Sequence, residues 1–263
     1  MTPEMRPNLV RARLMAGGLS YGIMAFEFFT PGFCQIAANA GADFVIFDME
    51  HSGVSIDTIK AQMAFARGTG VAPFVRVPGL YYHLIAPILD AGAMGIMVPM
   101  IETREQAGKL AAWSRFRPEG VRGLGFGVAH DDYSHGGIVE RMKQANARTL
   151  TIALIETAEG IRNVDAILSV PGIDVGWLGH YDLTNTMGIT AEFGAPDFRA
   201  AVDSLLAACQ RHGKAPGFLA GSLPMAREWR EKGFRCLCYG TDVGLFQSAF
   251  AEGISALRAD KGD

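Results

Sequence analysis

Short, uninterrupted apolar runs alternate along the chain with longer Ala-rich stretches of helical character. The runs fall at 21–25, 44–47, 74–77, 95–99, 150–155, 175–178, 216–219 and 236–239. The helical stretches fall at 31–40, 55–67, 82–91, 104–113, 138–147, 157–169, 197–212, 223–232 and 242–257. Strands without a polar face belong to a parallel sheet covered on both sides. Eight of them, each followed by a helix, predict a single-domain (β/α)8 TIM barrel over 1–263, with an open doubly wound sheet as runner-up. Thr30 before Pro31 reads as an N-cap with proline at N1, and Thr103 with Gln106 has the spacing of a capping box. Two segments stand outside the repeat. They are an N-terminal extension of about 1–18 and a polar, glycine-rich insertion of about 122–137 between the fourth and fifth strands.

Composition sharpens this picture at one point. The chain has 263 residues and 32 glycines, well above the roughly 7% of an average globular protein. Many of these glycines sit at strand-to-loop and helix-to-strand junctions, the punctuation of a repeated βα unit. A formal net charge of −3, without a basic stripe, argues against a nucleic-acid partner. The first residues lack the apolar core of a signal peptide, and no stretch has the length of a membrane span. Cys34, Cys209, Cys236 and Cys238 have no metal or disulfide spacing and read as small hydrophobes, which places the protein in a reducing cytoplasm.

In a barrel, functional groups collect where the strands end in their C-terminal loops. That filter returns Asp48, Glu50 and His51 after the second strand, Arg76 after the third, Glu102 after the fourth, Glu156 after the fifth and Asp182 after the sixth. Lys214 and Arg235 precede their strands and face the other end. Glu156 and Asp182 come from adjacent strands. Side by side they repel unless one is protonated or a cation lies between them, an arrangement that suits Mg²⁺ or Mn²⁺. Equally, one could cap a helix while the other pairs with an arginine. Gly123–Gly127 has glycines at a nucleotide-loop spacing, but no strand precedes it and no helix follows directly.

Several ordered segments resemble one family. They are Phe47-Asp48-Met49-Glu50-His51, Arg76-Val77-Pro78, Leu89-Asp90-Ala91-Gly92-Ala93, Arg122-Gly123, Ile155-Glu156-Thr157 and Asp182-Leu183. Together they are similar to the HpcH/HpaI family of metal-dependent pyruvate aldolases, in order from about Gly22 to Phe246. The resemblance implies a divalent metal (Mg²⁺, Mn²⁺ or Co²⁺) and reversible aldol cleavage of a 4-hydroxy-2-oxo acid. The products would be pyruvate, or a related 2-oxo acid such as hydroxypyruvate, and an aldehyde, formed through a metal-stabilised enolate. It implies that Glu156 and Asp182 are metal ligands and His51 the proton acceptor. Arg76 would stabilise the enolate, Asp90 would raise the basicity of His51, and Asp48 joins the catalytic set. Gly179, His180, Tyr181 and Asp182 would line the substrate site, and a homo-hexamer built as a trimer of dimers is expected. Oxaloacetate decarboxylation at the same site, or 2-oxo-acid binding with weak catalysis, are the alternatives.

The chain departs from the family pattern in three places. Leu154 stands where a glutamine is usual, and His180-Tyr181 replaces a Pro-x pair. The insertion around His130 and His135 is unusually polar and admits three readings: a second metal site, a lid over the aldehyde, or a solvated or intersubunit loop.

Overall fold

The computed structural model describes residues 5–261. Eight parallel strands close into a barrel in chain order: β1 (Ser20–Ala25), β2 (Phe44–Asp48), β3 (Ala72–Arg76), β4 (Gly95–Val98), β5 (Leu150–Ile155), β6 (Val175–Leu178), β7 (Ala215–Ala220) and β8 (Cys236–Thr241). The helices are α1 (Leu9–Met15), α2 (Phe33–Asn39), α3 (Ile56–Phe65), α4 (Tyr82–Asp90), α5 (Arg104–Ser114) and α6 (Ile138–Arg148). They continue with α7 (Ala158–Arg162), α8 (Val164–Leu168), α9 (His180–Thr186), α10 (Pro196–His212), α11 (Leu223–Glu231) and α12 (Asp242–Lys261).

The barrel follows from the strand composition. β2, β3 and β5 are buried along their whole length, as strands covered on both faces must be. One apolar layer fills the barrel interior, with Phe44 and Phe74 stacked 5.3 Å apart. A second lies between strands and helices, from Phe47 to Leu205 and Phe218. Gly217 shows why a strand here needs glycine: a Cβ would lie 2.3 Å from the Trp177 ring, so β7 admits that indole only without a side chain.

Local expectations hold in part. Thr103 and Gln106 form a complete capping box at α5. Thr30 does not cap α2, which begins at Phe33 with Gly32 as N-cap, because a turn from Thr30 to Phe33 comes first. The single helix expected over 157–169 breaks at Asn163, whose side chain donates to the Glu102 carbonyl at 2.8 Å. The N-terminal extension forms α1, which buries Val10 and Leu14 against the interior layer and so plugs the N-terminal end of the barrel. α12 runs outward, with Phe246, Phe250 and Leu257 about 60% exposed. Beside it, an apolar groove of about 550 Å³ stays open over β1 and β8, lined by Tyr21, Ala37, Leu223 and Ala226 among others.

Candidate active site

A cavity of about 350 Å³ opens at the C-terminal end of the strands, and His51, Arg76, Glu156, Gly179, His180, Tyr181 and Asp182 all line it. The loop after β2 is organised by Asp48, which is fully buried at the end of that strand. Its carboxylate accepts the backbone N–H groups of Glu50 (3.2 Å) and His51 (2.8 Å) and the Nε–H of Arg76 (2.5 Å). Asp48 and Arg76 are register partners on β2 and β3, so the sheet itself sets this pair. Asp48 is therefore a positioning residue here. Arg76 also approaches Glu50 at 3.2 Å through Nη1, and the His51 ring lies 3.8 Å from the same carboxylate.

Glu156 directly follows β5 and is buried. One oxygen accepts the N–H of Met100 at 2.9 Å, a bond made possible by the left-handed backbone of Met100 (φ 55°). The other lies against Gly179, where a Cβ would come within 2.5 Å of it. A side chain at 179 would thus displace the carboxylate. Burial pushes the Glu156 carboxyl up to about 8, and the Glu50 and Asp182 charges add to that against Arg76 and the Met100 N–H. Burial likewise raises Glu50, opposed by Arg76 and His51. Asp182 lies exposed in the first turn of α9. Four carboxylates thus share one mouth with one arginine and two histidines, His51 and His180.

His180 replaces a cyclic residue with an aromatic one and behaves accordingly. Its ring packs on Tyr181, Phe193 and Phe218 at 4.4–5.1 Å, and burial lowers its pKa to about 4, so it is neutral at pH 7.

Within the single chain, Asp90 and the insertion both lie away from the cavity. Asp90 does not reach His51. It ends α4, and a helix that returns antiparallel to its strand delivers its last residue to the opposite end of the barrel; there Asp90 binds Arg122 at 2.5 Å. Of the three readings of the insertion, the structure favours the solvated or intersubunit loop, with no group of metal ligands among the described residues. None of its residues lines the cavity. Its carboxylates are committed: Asp132 to Arg6 (2.9 Å) and Arg148 (2.7 Å), Asp131 to Arg141 (2.9 Å). His130 is buried between Phe116 and Phe126 and bonds the Gly125 carbonyl.

Other contributors were not anticipated. Asp242 begins α12 and is buried. Its carboxylate accepts the N–H groups of Phe26 (3.0 Å), Glu27 (2.9 Å) and Phe28 (2.7 Å), which fixes the loop after β1 and places Phe26 in the cavity wall. An acid directly after the last strand was the available signal.

The donors fit a hard divalent cation. Among the described residues no cluster of three or more His, Cys, Asp or Glu side chains is arranged around a metal position. Two carboxylates suffice for a cation that keeps water and substrate oxygens, and the Glu156 oxygen cradled by Gly179 is an acceptor in need of positive charge.

Residues 26–249 match the HpcH/HpaI aldolase/citrate lyase family. The 5-keto-4-deoxy-D-glucarate aldolase of Shigella sonnei is 31% identical over 249 residues, 95% of this chain and 96% of that enzyme. The structure of an HpcH/HpaI aldolase from Desulfitobacterium hafniense superposes with a TM-score of 0.90 at 27% identity, covering 94% of this chain and 96% of that one. A family protein from Burkholderia cenocepacia gives 0.89 at 29% identity, covering 95% and 99%. The closed barrel, the acid-rich mouth and this full-length likeness converge: the chain belongs to the HpcH/HpaI aldolase/citrate lyase family and is a carbon–carbon lyase.

Proposed function

We propose that the protein is a metal-dependent aldolase that reversibly cleaves 4-hydroxy-2-oxo acids to pyruvate, or a related 2-oxo acid, and an aldehyde. The observation that carries this reading is the buried Glu156 carboxylate, one oxygen on the Met100 N–H and the other seated against Gly179, in the same cavity as Asp182, Arg76 and His51. Such a group gains most from a divalent charge. Mg²⁺, Mn²⁺ or Co²⁺ held by Glu156 and Asp182 would supply Lewis-acid stabilisation to the carboxylate and C2 oxygen of the oxo acid.

The chain's own residues supply the rest. Removing a C3 proton from the oxo acid puts negative charge on its C2 oxygen. Arg76 offers positive charge there, and its orientation is set in advance by the bond from Nε to Asp48. His51, at the cavity edge, takes the C3 proton and returns it in the reverse direction. Asp48 holds the His51 backbone in place. The backbone of Gly179, His180 and Tyr181, entering α9, faces the substrate carboxylate. Asp90, bound to Arg122, has no part in this reading.

The open groove over β1 and β8 and the exposed apolar side chains of α12 support a homo-oligomer, with a trimer of dimers as the expected form. Four free, buried thiols are in keeping with a cytoplasmic protein; no helix among the described residues is long and apolar enough to cross a membrane. The direct test is cleavage of a 4-hydroxy-2-oxo acid: EDTA abolishes it and Mg²⁺, Mn²⁺ or Co²⁺ restores it. Turnover that survives chelation, or a pyruvate adduct trapped by borohydride, would refute the proposal.

A further inference from the structure

The cavity has two unlike sides. Strands β2, β3, β5 and β6 bring His51, Arg76, Glu156 and Asp182 to one arc of the mouth. Strands β7, β8 and β1 are neighbours on the opposite arc and bring Leu219, Thr241 and Met24, with Phe26 where the two arcs meet, its ring 5.7 Å from the Arg76 guanidinium. We infer that the second reactant is an aldehyde with an apolar aliphatic or aromatic body, received by the β7–β8–β1 arc, and not a polyhydroxylated or acidic one. This rests on the aldolase reading above.

Placement decides which side each reactant takes. The carboxylate and C2 oxygen of the oxo acid face the charged arc, so its C3 points across the cavity. In the bond-forming direction, C3 gives up a proton and adds to the aldehyde carbon. The C=O π pair moves onto the aldehyde oxygen, which takes up a proton, and nothing is oxidised or reduced. The remainder of the aldehyde must then extend along the far arc.

That arc is poor in hydrogen-bonding capacity. Thr241 is its one polar side chain; the hydroxyl accepts the Gly244 N–H at 3.0 Å, which leaves a single O–H donor for the whole arc. Several hydroxyls or a carboxylate buried there would lose more hydrogen bonds to water than that one donor replaces. The floor is equally apolar, with Leu154 and Trp177 side by side in register on β5 and β6. The wall is also preformed. Asp242 clamps three successive N–H groups of the loop that carries Phe26, and the absent Cβ of Gly217 seats the Trp177 ring. Rigid apolar walls select for apolar area more than they adapt to polarity.

The test uses the metal-loaded, full-length protein with pyruvate and a linear series from propanal to hexanal, plus succinic semialdehyde as an acidic comparator for pentanal. KM should fall roughly two- to fourfold for each added methylene. The kcat/KM for pentanal should exceed that for succinic semialdehyde at least about tenfold. Leu219→Gln should flatten the methylene series and narrow that ratio. A flat series in the unmodified protein, or a preference for succinic semialdehyde, overturns the inference. Exchange of pyruvate C3 protons into D₂O without any aldehyde separates the two levels. Exchange together with a flat series overturns the inference alone, whereas no exchange overturns the aldolase reading and the inference with it.

Discussion

The two ends of the barrel hold the same kinds of side chain in opposite states of balance. At the N-terminal end, carboxylates are matched by arginines. Asp174 accepts from Arg11 and Arg115 at 2.9–3.2 Å, and Asp132 from Arg6 and Arg148 at 2.7–3.1 Å. Burial alone would raise the Asp132 carboxyl, but Arg6 and Arg148 hold it below its ordinary value. At the C-terminal end, Asp48, Glu50, Glu156 and Asp182 face a single arginine, and burial drives Glu156 the other way, to about 8. Paired acids brace the fold, whereas on the proposed reading Glu156, which no arginine bonds, is the acid that a cation would match. On that reading, what separates a structural from a functional carboxylate is its partner, not its burial.

The largest effect that could break this contrast is at Glu156. Glu156→Gln should remove tight Mn²⁺ binding, read by calorimetry, and lower kcat/KM by about 10³-fold or more. It should leave the melting temperature of the chelated protein no lower, because an unmatched buried acid is removed. Retained Mn²⁺ affinity in this variant would mean that the ligand is misassigned.

The mirror experiment is Asp174→Asn, which leaves Arg115 buried without its anion. It should cost about 3 kcal/mol of stability, seen as a lower denaturant midpoint, while kcat per folded molecule stays within twofold. A large kcat loss there would blur the distinction between the two ends.

A pH titration of the chelated protein should show the sign of the imbalance. The folded pKa of Glu156 is raised from its ordinary 4.5 to about 8, so the folded chain keeps a proton that the unfolded chain sheds. Its contribution is fully present below about pH 4.5 and is lost as pH rises through about 8; Glu156→Gln should abolish that component. The apparent affinity for Mn²⁺ should move oppositely, gaining up to tenfold per unit between pH 6 and 8 as a bound proton is displaced.

The smallest effect is expected at Asp242, which positions the apolar wall without facing the charged arc. Asp242→Asn should cost about 1–2 kcal/mol and raise the KM for the aldehyde more than that for pyruvate. Equal changes in both would place Asp242 in general stability alone.

Strands and mouth residues were legible because both follow from local pattern. A strand buried on two faces is a continuous apolar run, as in β5 and β6, and the residue after it must lie at the mouth. Contacts between distant segments were not legible in this way. The clamp of Asp242 on Phe26 spans 216 residues, and no periodicity announces it. The pairing of Asp90 with Arg122 was not legible either, because motif likeness says nothing about which end of a helix faces which end of the barrel. The polarity of the insertion left ligand chemistry open, yet Asp132 serves Arg6 and Arg148, and Asp131 serves Arg141 on α6, partners that lie outside the insertion.

The central claim is that the unmatched acids at the mouth hold a cation that makes the C3 protons of a 2-oxo acid labile. Proton NMR of pyruvate in D₂O tests it without requiring the aldehyde. With Mg²⁺ or Mn²⁺ the methyl signal should decay at a rate proportional to protein concentration, and it should persist with EDTA or with Glu156→Gln. Decay that continues in EDTA, or that survives Glu156→Gln, would contradict the account.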